Sequence, residues 1–204
     1  MDLLVRPAGP EDPCAPLLFA SAEPYYTAYA GGAKRALKVL ERAYRDRGHA
    51  ASYEYCRVAL ADGEVVGLMA GFPASHVDRL SRRFVQLTLP RLPLWRWPNT
   101  FRHLRAAGGV SLKPPLDAYF VDALAVTPSW RRRGVAQHLL DDAQLEAAKA
   151  GLKKLALDTG LHNRPARALY EAYGFDEREI RRAPSEKTAR ALGGPGFIGY
   201  LKAV

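Results

Sequence analysis

Two apolar runs joined by a segment of helical period constrain this chain more than any other feature. "LDAYFVDALAV" (116–126) is almost continuously apolar, and "KKLALDTG" (153–160) repeats that character. Strands buried on both faces read this way, whereas strands with one wet face alternate. Between them lies "GVAQHLLDDAQLEAAKAG" (134–151), in which Val135, Leu139, Ala143 and Ala147 fall on one stripe and Gly151 closes the segment. Buried strand, loop, helix, buried strand is the ordering of an α/β chain.

The flanking segments extend that order. "LLVRPA" (3–8) reads as a short opening strand ended by Pro7 and Gly9. Residues 11–48 read as helix in two pieces broken at Gly31-Gly32, with Ala36, Leu37, Leu40 and Tyr44 at helical spacing in the second and Gly48 stopping it. "YEYCRVAL" (53–60) and "VVGLMAGF" (65–72) flank Asp62-Gly63, a hairpin signal. "SHVDRLSRRFVQLTL" (75–89) predicts a helix, and "FRHLRAA" (101–107) a shorter one before Gly108-Gly109. "PRLPLWRWPNT" (90–100) holds three prolines in nine residues and is excluded as a regular element. Asn163 caps "RPARALYEAYGF", with Pro165 in the first turn and Gly174 at the left-handed C-terminal position. "EREIRRA" (177–183) and "FIGYLKAV" (197–204) read as two closing strands. The whole predicts one domain over 1–204, with a central mixed twisted β-sheet flanked by helices.

Composition narrows the class. With 204 residues, 48% apolar and 25% charged, the chain can bury a sizeable core and matches a soluble globular protein. No apolar run approaches the roughly 18 residues of a membrane span, and the N-terminal segment lacks the leader pattern. Cys14 and Cys56 stand alone, without metal or disulfide spacing, which fits a cytoplasmic location. His49, His76, His103, His138 and His162 also lack metal spacing, so no metal is assigned. The net charge of +9 favours nucleic acid, a membrane surface or a polyphosphate cofactor, or describes nothing more than a basic solvated surface.

The loop "TPSWRRRG" between the first buried strand and its helix breaks local rules. Arg131, Arg132 and Arg133 repel one another, and Gly134 gives up helix propensity where a helix begins. An anion resolves both conflicts. A helix N-terminus offers unpaired N–H groups and partial positive charge, a glycine lets a ligand approach the backbone, and arginines pair with phosphate. The loop therefore reads as a pyrophosphate cradle. It is neither a Walker loop nor a dinucleotide fingerprint, since both glycine patterns are absent.

At these residues the chain resembles the GNAT family of acetyl-coenzyme A-dependent N-acetyltransferases, which carries [Q/R]-x-x-G-x-[G/A] at this position. Arg131, Arg132, Arg133, Gly134, Val135 and Ala136 supply it, preceded by Leu124-Ala125-Val126 with Pro128 and followed by Asn163, Ala166, Leu169, Tyr170, Gly174 and Phe175. The likeness is specific over 117–176, and residues 73–116 stand out as an insertion before the fourth strand. The resemblance implies the GNAT acyl-coenzyme A N-acyltransferase fold. In it a parallel strand pair splays beyond Leu124, Ala125 and Val126 to admit the pantetheine arm of acetyl-coenzyme A, and residues 131–136 hold the pyrophosphate. It also implies that Tyr170 serves the departing sulfur, although the stripe Ala166, Leu169, Tyr170 and Tyr173 alone describes a core residue. Asn163 either binds the pantetheine amide or only caps its helix.

Asp122 interrupts an apolar strand, two residues before Leu124 and hence on the same face of a regular strand. Its candidate roles are general base or ammonium anchor, against an ion pair with an arginine. The acceptor, a small-molecule or peptide amine, would be walled by Tyr25, Tyr26, Tyr29 and the insertion. That insertion is rich in arginine and carries Trp95 and Trp97, which fits a lid, a homodimer contact, a nucleic-acid platform or a flap over the sheet. Two functions stand: acetyl transfer from acetyl-coenzyme A to a primary amine, and a degenerate acyl-coenzyme A-binding or RNA-associated module.

Overall fold

The computed structural model describes residues 3–204. Met1 and Asp2, the start of the segment read for a leader, lie outside the described residues. Seven strands, β1 (Leu3–Pro7), β2 (Cys56–Ala61), β3 (Glu64–Pro73), β4 (Tyr119–Val126), β5 (Lys154–Gly160), β6 (Asp176–Arg182) and β7 (Gly196–Ala203), form one sheet in the order β1-β2-β3-β4-β5-β7-β6. β4 and β5 are parallel, as the crossover through a helix requires. The other neighbours are antiparallel. Asp62 (φ 52°) and Gly63 (φ 82°) both take the left-handed region, the turn that matches the twist of a two-residue hairpin between β2 and β3.

On one face of the sheet lie α1 (Ala15–Ser21), α2 (Glu23–Ala30), α3 (Ala33–Arg45), α4 (Val77–Thr88) and α5 (Trp97–Val110). Leu18, Tyr29, Leu40 and Phe84 from these helices pack with Val58, Leu68 and Ala70 of the sheet. On the other face α6 (Val135–Lys149) and α7 (Arg164–Ala172) pack Val135, Leu139, Leu140 and Tyr170 onto Met69, Val121 and Leu157. The predicted stripe of α6 is thus the buried one.

Four local differences from the sequence reading have simple causes. Residues 11–48 form three helices, because the backbone turns at Ala22 (φ −148°, ψ 47°) ahead of Pro24 at the start of α2. The proline-rich stretch is not wholly irregular: Pro98 sits in the first turn of α5, where its missing N–H costs nothing. That helix also runs through Gly108 and Gly109 instead of stopping before them. A seven-residue helix, α8 (Glu186–Leu192), capped by the Ser185 hydroxyl, lies between β6 and β7, a stretch to which the sequence reading assigns no element.

Candidate active site

The site begins where two strands part. Pairing between β4 and β5 covers Tyr119↔Leu155, Phe120↔Ala156 and Val121↔Leu157, then stops, although both strands continue. The cause lies on the other edge of β4. Ala70 pairs with Ala123 and Gly71 with Val121, so Asp122 is an extra residue with no partner on β3, a β-bulge. Past the bulge β4 follows β3, while β5 follows β7 through Asp158↔Gly199 and Gly160↔Phe197.

The bulge also overturns one expectation. It breaks the strict alternation of β4, so Asp122 and Leu124 do not share a face: Leu124 packs on the α6 side, whereas Asp122 lines a cavity on the α2 side. That cavity, about 670 Å³, lies among Tyr25, Tyr26, Phe84, Leu104 and Phe197, with Asp122 and Asp158 both on its wall. Asp122 is open to the solvent of the cavity, yet protein surrounds it closely, and this desolvation alone raises its carboxyl to about 6. No arginine contributes, so the ion-pair reading of Asp122 fails. Asp158 is pushed up to about 7, first by burial and then by the charge of Asp122. Two like charges across the split disfavour double ionisation, so the pair titrates as a unit near neutrality.

Sequence reasoning missed Asp158, although the signal used for Asp122, one carboxylate inside an apolar strand, is present in "LALDTG". Of the three tyrosines named as a wall, Tyr25 and Tyr26 line the cavity. Tyr29 is core, its hydroxyl bonded to Thr88 Oγ1 at 2.7 Å. Burial, with Asp122 nearby, raises both cavity tyrosines, so their hydroxyls stay protonated.

On the far side of β4 the loop after Val126 forms one short 3-10 turn, Pro128–Trp130, before α6. Arg132 (φ 61°) and Gly134 (φ 82°) both take the left-handed region, and no side chain caps α6. The N–H groups of Arg132, Arg133, Gly134, Val135, Ala136 and Gln137 find no acceptor among the described residues, and the first bonded one is His138 N, to Gly134 O at 3.1 Å. A Cβ built at Gly134 would come no nearer than 3.7 Å to the His138 ring, so the loop is not filled by its own side chains. Such a run of free amides, at left-handed turns and a helix N-terminus, accepts an anion. Arg131 Nε donates to Val126 O at 3.2 Å, tying the loop to the strand end, and Arg133 lies over the Trp130 ring. Arg57 of β2 holds α6 in place through two hydrogen bonds to Asp142, at 2.7 and 2.6 Å.

Tyr170 is 6% exposed, packed on Phe175 and Tyr200 with ring centroids 5.9 and 5.6 Å away. Burial and the charge of Asp158 raise its phenol, so it is a proton donor at neutral pH. Asn163 accepts from Ala166 N at 3.3 Å as the cap of α7, and its amide nitrogen donates to Thr159 Oγ1 at 3.1 Å. Both ends of that side chain are therefore engaged. Among the described residues no group of three metal-binding side chains occurs, and no helix is long and apolar enough to cross a membrane.

A family model described as acetyltransferase (GNAT) family matches residues 22–175. Curated relatives match over a shorter core. An aminoglycoside N(6')-acetyltransferase type 1 of Acinetobacter genomosp. 13 is 37% identical over 60 residues, which is 29% of this chain and 41% of the relative. The [ribosomal protein bS18]-alanine N-acetyltransferase of Escherichia coli K12 is 39% identical over 67 residues, 33% of this chain and 45% of the relative. Each match thus spans less than half the length of the relative. Among solved structures, an N-acetyltransferase from Staphylococcus aureus Mu50 is 18% identical, with 98% of this chain and 100% of that one covered and a TM-score of 0.69. An acetyltransferase of Elizabethkingia anophelis with acetyl-CoA bound is 17% identical, with 99% and 98% covered and a TM-score of 0.58. At these identities the likeness establishes the fold.

Proposed function

This chain belongs to the GNAT family of acetyltransferases, and from that premise we propose that it moves an acetyl group from acetyl-coenzyme A to a primary amine within one ternary complex. The observation that carries the reading is the split after Val121 and Leu157, with a carboxylate pair at its head on one side and six unpaired amides of the following loop on the other. The relatives named above act, by their names, on an aminoglycoside and on a ribosomal-protein alanine. The acceptor here is assigned from its own cavity.

Residues of the chain divide the work. The amides of 132–137, with Arg132 beside them, would hold the diphosphate. The β4 edge at Leu124, Ala125 and Val126, which no strand covers on the β5 side, would take the pantetheine amides. When bound, acetyl-coenzyme A supplies the activated acetyl group and a thiolate leaving group. Asp122 and Asp158 anchor the incoming ammonium, and the ionised member of the pair takes its proton, so that a neutral amine attacks. A backbone N–H of the uncovered β4 edge stabilises the oxyanion. Tyr170 gives its proton to the sulfur. A phenol of pKa about 10 protonates a thiolate of pKa near 8.5 only uphill in water, and burial raises the Tyr170 phenol further, so the step needs the thiolate desolvated as well and held against the Tyr170 hydroxyl.

Incubation of the protein with acetyl-coenzyme A and a panel of primary amines, followed by release of free thiol, tests the reading. Tyr170→Phe should lower kcat by roughly 10²-fold, the low end of acid–base contributions, with the KM for acetyl-coenzyme A unchanged. Full turnover by that variant removes Tyr170 from the mechanism. Absence of thiol release with every amine, despite bound coenzyme A, leaves an acyl-coenzyme A-binding module.

A further inference from the structure

The acceptor cavity does not end at its aromatic walls. Besides Asp122 and Asp158, its lining includes Tyr26, Phe84 and Val85 and, on α4, Arg82 and Gln86. The same two residues line a neighbouring open groove of about 780 Å³, together with Arg47, Arg79 and Arg83. Cavity and groove therefore meet at Arg82 and Gln86 of α4.

The charge of α4 there is unbalanced. Leu80 and Phe84 face the core, while Arg79, Arg82 and Arg83 project to solvent. Arg79 and Arg83 are four residues apart, a like-charge spacing that destabilises a helix. Arg82 Nε donates only to the Asp78 backbone carbonyl, at 3.1 Å. Among the described residues none of the three meets a carboxylate. The one acid lining the groove, Glu54, is already engaged by Arg47 Nε at 2.6 Å and by Gly48 N at 2.7 Å. Guanidinium groups left in this arrangement bind carboxylate or phosphate through paired N–H donors.

Resting on the acetyl-transfer reading above, we propose that the acceptor is a compact amine with two unlike ends: a primary ammonium held at Asp122 and Asp158, an apolar body along Tyr26 and Phe84, and a carboxylate or phosphate at Arg79, Arg82 and Arg83. A volume of about 670 Å³ suits a small molecule. The guanidinium end repels a second ammonium, so a linear polyamine fits poorly. The cavity thus selects by opposite charge at its two ends and by apolar contact between them.

Phenethylamine, tyramine and tyramine O-phosphate share one amine and one aromatic body and differ in the far end. The phosphate form should show about tenfold higher kcat/KM than tyramine, carried by KM, the effect of one added charge-assisted hydrogen bond. In the triple variant Arg79→Ala, Arg82→Ala, Arg83→Ala the ratio of the two should fall to about one. Calorimetric binding of tyramine O-phosphate, measured without acetyl-coenzyme A, separates this proposal from the catalytic one. Binding that is lost in the triple variant supports the charged site even if no amine is acetylated. Equal constants for the three amines, or a preference that survives the triple variant, overturns it. So does a wild-type shift of tRNA that the triple variant loses while the three amines behave alike, which would give the arginines to a polyanion.

Discussion

The two sides of the β4–β5 split solve opposite problems by opposite means. On the α6 side the proposed ligand is anionic, and the chain offers it backbone: six free amides and two left-handed residues, Arg132 and Gly134, all within 131–137. On the α2 side the proposed ligand is a cation that must lose a proton. The chain meets it with side chains, two carboxylates in a cavity walled by Tyr25, Tyr26, Phe84 and Phe197. Backbone dipoles are fixed and indifferent to pH, which suits a ligand that only needs holding. Carboxylates desolvated until they titrate near neutrality suit a ligand that must be changed. In the proposed reaction, holding and reacting are therefore separated across one strand, β4, by a single inserted residue, Asp122.

The largest expected effect breaks one side and leaves the other. The double variant Asp122→Asn, Asp158→Asn should lower kcat/KM for amines by about 10²–10⁴-fold, the range for a lost general base. Coenzyme A binding, read by calorimetry, should not change. If affinity for coenzyme A falls in step, the two sides are one site and the separation is wrong. The pH profile sharpens the point. A carboxylate base works ionised, so the wild-type rate should rise with pH through about 6 to 7, where the pair titrates. Asp122→Asn removes the neighbouring charge that helps raise Asp158, so the rise left by Asp158 should move to lower pH.

The same contrast explains what was legible beforehand. The anion cradle is contiguous, and its local conflict, three arginines and a glycine at a helix start, is written in six adjacent residues. The buried strands, the hairpin at Asp62-Gly63 and the cap at Asn163 are local in the same sense. The acceptor side draws on α2, α4, α5, β4, β5 and β7, so no stretch of sequence contains it. Asp122 stood out by its apolar neighbours, but its facing was misjudged because a bulge is a property of pairing with β3, invisible in β4 alone. Tyr25, Tyr26 and Tyr29 were named together. Only tertiary packing, through the hydrogen bond of Tyr29 to Thr88, tells wall from core.

A smaller effect probes the cradle. Gly134→Ala keeps the amide but places a Cβ on a residue at φ 82°, a conformation that costs an L-residue about 1–2 kcal/mol. If the loop relaxes to avoid that cost, its amides turn away. Affinity for coenzyme A should then weaken by roughly tenfold, with the KM for the amine unchanged at saturating cofactor. A variant that raises the amine KM instead would place Gly134 at the acceptor.

The smallest effect is a stability change opposite in sign to the loss of activity. A carboxyl raised to about 7 in the folded chain, against an unfolded value near 4, binds its proton more tightly when folded. Folding stability therefore declines as pH rises from about 4 to about 7, and the whole penalty is present above that window. Asp158→Asn cannot ionise and escapes it. In urea melts the variant should exceed the wild type at pH 8, and the difference should shrink towards pH 5 as the wild-type pair takes up its protons. Backbone amides do not titrate in this range, so Gly134→Ala should shift the melt by the same amount at both pH values. A pH-independent difference for Asp158→Asn would mean that Asp158 is well solvated or paired, and that the acceptor side holds no poised base.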